Sequence, residues 1–418
     1  MKKILYNPAQ IITVNTNGRN FLRGGEFISF EVFTEHSVII EGSFIKDIVP
    51  SNKINNKSEY QIIDLSNKVL LPGFIDCHTH AVFAGTRRNE FKMKLEGATY
   101  EQLAEAGMGI NSTVKAVEES TVEDLVAIAS SKIKYFIRQG VTSIEIKSGY
   151  GLSFDNEIKI LQAIKKLKEI YSIDIISTFL GAHTYPLEYK NNRTKYIDII
   201  CNEMLPYVKE NGLAEFCDAF CESTAFHPDE IRTIFSKAKE LGYKIKLHTD
   251  QFNSIGGVDV GLDFNALSLE HLEVINDKDL AKLNATETVS VLLPGVSFFL
   301  DYGYAPARKL LDQGSIVALS TDYNPGSSHI QNISLIMFLA ARKMKMNINE
   351  IISAFTINAA KALDIHTQTG SIEINKKVDF AVLNTSNYFD IIYDCGMNLN
   401  CMTIKNGEII YSNKEIKF

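Results

Sequence analysis

The central part of the chain alternates short apolar segments with amphipathic helical segments, and this pattern limits the possible folds more than any other feature. Eight apolar segments are typical of strands: LPGFIDCHTH, VTSIEIKSG, IDIISTFLGAHT, AEFCDAFCE, YKIKLHTD, ALSLEHL, TVSVLLPG and SIVALSTDYNPGS. Repeated strand–helix units indicate a parallel sheet, and eight such units close the sheet into a barrel. The sequence therefore predicts an α/β fold whose main part is a (β/α)8 TIM-like barrel.

Some of the helical segments between these strands carry recognisable start and stop signals. The segment STVEDLVAIASSKIKYFIRQG begins with a capping box from Ser120 to Glu123 and ends on Gly140. The segment HPDEIRTIFSKAKELG has proline in its first turn and ends at Gly242. These signals support the eight-unit interpretation.

Both ends of the chain show short strands and tight turns instead. SVIIEGSFIKDIVP has two β-branched runs around a glycine, and MTIKNGEIIYS contains Asn406-Gly407, a strong hairpin signal. Neither end is long enough to build a robust core alone, so we expect the two ends to pair in one small β-sandwich domain. The predicted division is 1–68 and 366–418 for the small domain and 69–365 for the barrel.

Composition and charge exclude several classes of function. The net charge is −7 and no basic stripe is present, which argues against a nucleic-acid partner. No apolar run approaches the roughly 18 residues of a membrane span, and the start MKKILYNPAQ is too short in apolar residues for a signal peptide. The six cysteines are scattered, as in a reduced protein. We therefore predict a cytoplasmic protein with no membrane partner.

Polar side chains gather at the predicted carboxyl ends of the strands, where barrels of this class carry their chemistry. His78 and His80 would point to the same side of an extended segment. The other polar residues at these ends are Lys147, Tyr150, His183, Glu222, His248, His271 and Asp322, with His329 in the loop after the last strand. A lone histidine there is usually an ordinary polar residue, but three histidines and an aspartate suit Zn²⁺ or a similar ion. We predict metal ligands at His78, His80, His248 and Asp322.

This arrangement resembles the amidohydrolase superfamily over nearly the whole chain. Dinuclear members of that superfamily have a carboxylated lysine on strand four, which bridges two metal ions. Strand four of this chain, AEFCDAFCE, has no lysine, and Lys147 lies on strand two. The resemblance therefore implies one divalent ion per subunit, either Zn²⁺ or Fe²⁺/Fe³⁺, because the ligands suit both metals.

Longer motifs narrow the resemblance to the imidazolonepropionase family. They are HTHAVFAGTRRNEF, GATYEQLAEAGMGINSTVKA, EIKSGYGL, TFLGAHTYPLEY, KLHTDQF, LLPGVSFFL, YAPARKLLDQG and STDYNPGSS. The resemblance implies hydrolysis of 4-imidazolone-5-propanoate to N-formimidoyl-L-glutamate in histidine degradation, by a homodimer. It also implies substrate contacts from Arg87, Tyr150, His183, Asn324, Gly326 and Ser327, with His271 unliganded on strand six. Position 251 is Gln or Glu in that family, and Gln251 is expected to act in catalysis as a hydrogen-bonding partner that cannot accept a proton.

The chemistry of these residues agrees with such a reaction. A propanoate needs a cation, and an arginine can donate two parallel hydrogen bonds to a carboxylate. Arg87 follows strand one closely and is the first candidate; Arg88 beside it is the alternative. In the expected mechanism a metal-activated water attacks the ring carbonyl, and Asp322 carries the proton to the leaving nitrogen. His271 would stabilise the oxyanion and His183 would orient the ring.

Some alternatives remain open from sequence alone. Tyr100 could line the pocket or pack within a helix, and NPGSS could bind the ligand or form a plain turn. GMGI could serve a lid. Other possible functions are a different mononuclear cyclic amidohydrolase, a deaminase acting on a ring C–N bond, or a metal-free binding protein.

Overall fold

The structure is a computed structural model that describes residues 2–28, 31–55, 57–97 and 109–413. Tyr100 and the first two residues of GMGI lie outside these ranges.

Strands from both ends of the chain form two sheets beside the barrel. Their bounds are β1 (Lys2–Tyr6), β2 (Gln10–Ile12), β3 (Val32–Phe33), β4 (His36–Glu41), β5 (Phe44–Pro50), β6 (Gln61–Asp64), β7 (Val69–Pro72), β16 (Phe380–Leu383), β17 (Asn400–Lys405) and β18 (Glu408–Ser412). In the described residues one sheet has the order β5-β4-β1-β6 and the other the order β18-β17-β16-β7-β2-β3. The predicted small domain from both termini is confirmed, because the second sheet contains β2 and β3 from one end of the chain and β16 to β18 from the other. The boundaries at 68 and 366 stay a prediction.

The core of these terminal strands also draws on both ends. Buried side chains of the first sheet, such as Val38 and Ile40, join Phe380 and Ile404 of the second in one apolar cluster. Asn406-Gly407 turns β17 into β18 as predicted, with left-handed φ angles of 52° and 81° that favour these two residue types.

The described central strands form one eight-stranded parallel sheet in sequential order. Its strands are β8 (Phe74–Asp76), β9 (Val141–Lys147), β10 (Asp174–Ala182), β11 (Phe216–Cys221), β12 (Lys244–Thr249), β13 (Ser268–His271), β14 (Val289–Leu292) and β15 (Ile316–Leu319). A parallel bridge between Thr79 and Tyr323 joins the segments that follow the first and last strands. The predicted (β/α)8 barrel is confirmed, and the carboxyl ends of its strands meet at one rim.

The apolar segment LPGFIDCHTH divides between two sheets, where the sequence predicts one strand. Val69–Pro72 belongs to a terminal sheet and Phe74–Asp76 to the barrel. Gly73 lies between them, and a Cβ atom there would come within 2.3 Å of the Thr142 side chain. The chain can pass from sheet to sheet here because glycine permits this close approach.

The described helices lie mostly between the strands of the barrel, with a few after its last strand. They are α1 (Arg88–Leu95), α2 (Ile110–Glu118), α3 (Val122–Arg138), α4 (Phe154–Ile170), α5 (Arg193–Ile199), α6 (Leu205–Glu210), α7 (Pro228–Glu240), α8 (Gly257–Asp263), α9 (Asp277–Leu283), α10 (Pro294–Leu300), α11 (Ala307–Asp312), α12 (Ile333–Lys343), α13 (Ile348–Ala354), α14 (Ile357–Ala362) and α15 (Asp390–Tyr393). A π-helical segment, Ile200–Met204, links α5 to α6. None of these helices combines the length and apolarity required to cross a membrane.

The predicted helix signals are largely correct, but one capping box lies one residue later in the chain than predicted. The capping box of α3 runs from Thr121 to Asp124, so the predicted pair Ser120 and Glu123 is wrong. The helix begins at Val122, which places the Thr121 hydroxyl and the Asp124 carboxylate on each other's backbone N–H groups. Pro228 is the first residue of α7, as predicted.

Candidate active site

The structure brings the four predicted metal ligands together at the rim of the barrel. His78 and His80 lie just after β8, His248 lies on β12, and Asp322 follows β15. Asp322 Oδ1 is 3.3 Å from His78 Nε2 and 3.7 Å from His80 Nε2. The rings of His78 and His248 have centroids 4.5 Å apart. Four residues from three distant parts of the chain therefore surround one small volume.

Several polar atoms in this volume are buried and lack hydrogen-bond partners among the described residues. They include His78 Nε2, His248 Nε2 and Asp322 Oδ1. Buried polar atoms without partners are costly, and imidazole nitrogens with a carboxylate oxygen are a good donor set for a divalent ion. These atoms fit a metal ion that would satisfy them together. Burial alone would raise the pKa of Asp322, but the neighbouring His78 lowers it, so this side chain is a carboxylate.

Two buried carboxylates lie at the Nδ1 atoms of His78 and His248, on the side of each ring away from Nε2. His78 Nδ1 is 2.7 Å from Glu270 Oε2, and His248 Nδ1 is 2.9 Å from Asp218 Oδ2. A carboxylate at Nδ1 favours the tautomer whose Nε2 lone pair is free for a metal. Glu270 and Asp218 thus support the orientation that metal binding requires.

His271 completes this part of the rim at the end of β13. Its ring centroid is 5.4 Å from that of His248, and its Nδ1 is 3.4 Å from Glu273 Oε1. His271 (φ 83°) and Asp322 (φ 46°) both have left-handed backbone conformations. Such conformations are uncommon outside glycine and gather at functional sites. Gln251 is buried just after β12.

His183 and Tyr150 form an aromatic wall next to the histidine cluster. The ring of His183 stacks on that of His80 at 5.4 Å, and Tyr150 lies 5.5 Å from both rings. Burial lowers the pKa of His183 to about 4, so this imidazole is neutral at pH 7. Its Nδ1 is 2.8 Å from the carbonyl oxygen of Gly149, which accepts the Nδ1 proton. The Nε2 atom of His183 is therefore a hydrogen-bond acceptor.

The loop that carries Tyr150 is held by a buried carboxylate that no motif in the sequence indicates. Glu157 on α4 accepts hydrogen bonds from the backbone N–H groups of Gly149, Gly151 and Leu152. Because the same loop presents Gly149 O to His183, Glu157 also supports the orientation of that histidine.

Arg87 borders a cavity of about 350 Å³ whose lining also includes Phe299 and His329. Its Nε atom donates to Thr113 Oγ1 at 2.9 Å, and its Cζ lies 5.8 Å from the centre of the Tyr150 ring. Arg87 has no carboxylate partner among the described residues. Gly326 lies directly against it, since a Cβ at that position would be 2.1 Å from Arg87 Nη1. Arg88, the predicted rival, also borders the cavity.

The loop after β15 forms a tight turn around Asn324. Asn324 Oδ1 accepts the backbone N–H groups of Gly326 and Ser327 at 2.8 and 2.7 Å, and its Nδ2 donates to Asp322 O. Of the two interpretations of NPGSS, this geometry favours the turn, because the loop itself uses those N–H groups. Asn324 thereby supports the backbone of Asp322.

The comparisons with known proteins agree over most of the chain. The model of the amidohydrolase family matches residues 69–410. An imidazolonepropionase from Alkaliphilus oremlandii is 41% identical over 411 residues, which cover 97% of this chain and 96% of the relative. One from Fusobacterium nucleatum is 39% identical over 414 residues, which cover 98% of both chains.

Solved structures share the fold at much lower identity. A triazine hydrolase from Arthobacter aurescens has a TM-score of 0.71 at 15% identity and covers 99% of this chain and 95% of its own. Guanine deaminase from E. coli has a TM-score of 0.71 at 14% identity and covers 99% and 100%. These likenesses show a shared fold alone. The identity near 40% over the full length, in contrast, shows the family. The chain belongs to the imidazolonepropionase family of the amidohydrolases.

Proposed function

We propose that this protein hydrolyses 4-imidazolone-5-propanoate to N-formimidoyl-L-glutamate, a step of histidine degradation. The observation that carries the proposal is the position of Arg87, a guanidinium without a carboxylate partner among the described residues, one aromatic ring away from the histidine cluster. A small substrate with a carboxylate tail and a cyclic amide requires a cation for the tail, here Arg87, and a reactive centre for the amide, here the histidine cluster. The identity of nearly 40% to imidazolonepropionases supports the same substrate.

We propose His78, His80, His248 and Asp322 as the ligands of one divalent ion, Zn²⁺ or iron. Such an ion supplies a Lewis acid for the ring carbonyl and lowers the pKa of a coordinated water. The support is the partnerless buried Nε2 atoms of His78 and His248 and the Asp322 Oδ1 atom, with His80 Nε2 3.7 Å from that oxygen.

The remaining proton chemistry falls to Asp322 and His271. The Asp322 carboxylate can accept the proton of the attacking water and pass it to the leaving ring nitrogen. His271 would donate a hydrogen bond from Nε2 to the developing oxyanion, with the Glu273 carboxylate at its Nδ1 supporting a doubly protonated ring. Gln251 can hydrogen-bond to the substrate but cannot take the proton, which leaves Asp322 as the proposed base.

We propose that the remaining wall residues orient the substrate. Arg87 would bind the propanoate in a two-pronged contact, and the Tyr150 hydroxyl, whose pKa is raised by burial, stays protonated as a donor. His183 Nε2 would accept a hydrogen bond from a ring N–H. Gly326 would leave space for Arg87, and the turn between Asn324 and Ser327 would hold Gly326 in that place.

The decisive experiment combines metal analysis of the purified protein with turnover of imidazolonepropanoate. We expect one ion per subunit and formation of formimidoylglutamate. Hydantoin and cytosine serve as comparison substrates, because turnover of either one instead would indicate another cyclic amidohydrolase or a deaminase. Protein without metal and without turnover would indicate a binding function.

We also infer a cytoplasmic homodimer, which the family resemblance supports. Native mass spectrometry of the purified protein would test the dimer, and cell fractionation would test the location.

A further inference from the structure

A cluster of five charged side chains is completely buried beneath the proposed metal ligands. Its members are Glu145, Lys147, Asp218, Lys246 and Glu270. We call it the buried charge cluster. It contains three carboxylates and two ammonium groups, and the chemistry proposed above uses neither lysine. Burying charges is costly unless each is paired, so the positions of the two ammonium groups require explanation.

The Lys147 ammonium lies where three carboxylates converge. Its Nζ is 2.8 Å from Asp218 Oδ2, 2.9 Å from Glu270 Oε2 and 3.2 Å from Glu145 Oε1. These carboxylates come from three strands, β11, β13 and β9. Carboxylate oxygens gathered around one point are the donor set of a hard divalent cation, which binds them at about 2.0 to 2.6 Å. The chain thus builds a cation position and fills it with its own lysine.

This cation position borders the proposed metal ligands directly. Glu270 Oε2 and Asp218 Oδ2, which face Lys147, are also the oxygens closest to His78 Nδ1 and His248 Nδ1. Burial favours the neutral amine, but the three carboxylates raise the pKa of Lys147 well above its usual value, so it is charged. An ion in this position would bind the same carboxylate oxygens that face His78 and His248.

We propose that Lys147 occupies a second cation position and thereby limits the protein to one divalent ion per chain. This inference rests on the metal centre proposed above. Its ammonium balances the charge of Asp218 and Glu270, so that these carboxylates face the histidine Nδ1 atoms and Lys147 instead of binding another metal. In addition to the missing strand-four lysine, Lys147 on strand two therefore keeps a second ion out.

Lys246 offers a matched comparison within the same cluster. Its Nζ is 2.7 Å from Glu145 Oε2 and 3.1 Å from Glu270 Oε1, and it also donates to Cys77 O. Lys246 therefore contacts two carboxylates, through oxygens other than those that face the histidines. Its loss removes the same charge but opens no three-carboxylate position.

The test is the number of divalent ions per chain in Lys147→Ala, Lys246→Ala and the unmodified protein. Each is dialysed to equilibrium against excess Mn²⁺, and zinc, iron and manganese are measured by elemental analysis. We expect one ion in the unmodified protein and in Lys246→Ala, and two in Lys147→Ala. A single ion in Lys147→Ala, or two in Lys246→Ala, would overturn the inference. An unmodified protein without any ion would instead remove the metal centre and the proposed function with it.

Loss of Lys147 also risks a failure to fold, so the variant is produced in media with and without added Mn²⁺. Soluble Lys147→Ala only in the presence of Mn²⁺ would support the inference, because the ion then replaces the ammonium. Insoluble protein in both media would contradict it, since an external cation then fails to substitute for the lysine.

Discussion

Arg87 and Thr113 are joined by a 2.9 Å hydrogen bond in which Arg87 Nε donates to the Thr113 hydroxyl oxygen. Thr113 is buried on α2, so the helix sets the plane of the guanidinium group. The bond uses one nitrogen and leaves the charge of Arg87 without a carboxylate partner in the described part of the chain. A fixed but uncompensated arginine is well prepared to bind a carboxylate from outside.

We predict that Arg87→Ala lowers kcat/KM for imidazolonepropanoate by very roughly ten- to a hundred-fold, because a charged hydrogen bond contributes about 1.5 to 3 kcal/mol. Steady-state kinetics measure the change, and metal content should stay the same. Arg88→Ala is the matched control, with a much smaller effect expected. If the two variants exchange these results, Arg88 binds the propanoate.

Gly326→Ala should weaken substrate capture without touching the metal ligands. The new Cβ would lie 2.1 Å from Arg87 Nη1, so the guanidinium must move away from the position that Thr113 sets. We expect KM to rise at least several-fold with the metal content unchanged. Gly303→Ala is the control, since a Cβ there has nothing within 4 Å. Equal KM values in both glycine variants would show that Arg87 tolerates displacement.

His183→Ala should lose turnover and keep its metal, whereas His248→Ala should lose both. The difference follows from geometry. The His183 ring stacks on the His80 ring and its Nδ1 bonds to Gly149 O, so it is not a proposed ligand. His248 Nε2 is a buried nitrogen without a partner and is a proposed ligand. Elemental analysis and kcat of both variants provide the measurement. A normal kcat in His183→Ala would remove this residue from the mechanism.

Lys132 should make the stability of the protein depend on pH. Its ammonium is buried beside the Phe83 ring and donates to the carbonyl oxygens of Ala81 and Phe83, and burial lowers its pKa from 10.5 to about 7. The unfolded chain therefore binds more protons than the folded chain between pH 7 and 10.5. Over this range the free energy of unfolding should rise with pH, by at most about 1.4 kcal/mol per unit from this group.

Urea unfolding at several pH values measures this contribution. In Lys132→Met the free energy of unfolding should rise less between pH 7 and 10 than in the unmodified protein. Below pH 7 the variant should gain stability relative to the unmodified protein, because no buried ammonium remains. Lys134→Met on the exposed face of the same helix is the control and should keep the slope of the unmodified protein. An unchanged slope in Lys132→Met would assign the pH dependence to other groups.

Much of the site could be predicted because it depends on short-range pattern. His78 and His80 follow an apolar strand and are separated by one residue, so their shared direction follows from strand geometry. His248, His271 and Asp322 could be placed near them because parallel strands bring their carboxyl ends to one rim. These inferences need the order of strands but no side-chain distances.

Other parts could not be predicted because their partners come from distant strands. Glu145 and Lys147 alternate with Ile144 and Ile146 along β9, which is a visible signal of buried charge, yet the contacts of Lys147 with Asp218 and Glu270 arise only in the closed barrel. Thr113 and Glu157 look like ordinary helix residues until the loops that they hold are in place.

The sequence by itself determined the strand–helix alternation, the pairing of the two ends and the residue types at the rim, because hydrophobic period and turn chemistry are local properties. The tertiary structure alone decided that LPGFIDCHTH divides between two sheets and that Gly326 adjoins Arg87. It also decided that a lysine fills the point where three carboxylates meet. The physical reason is that contact distances depend on how the strands close around one another, which no single segment encodes.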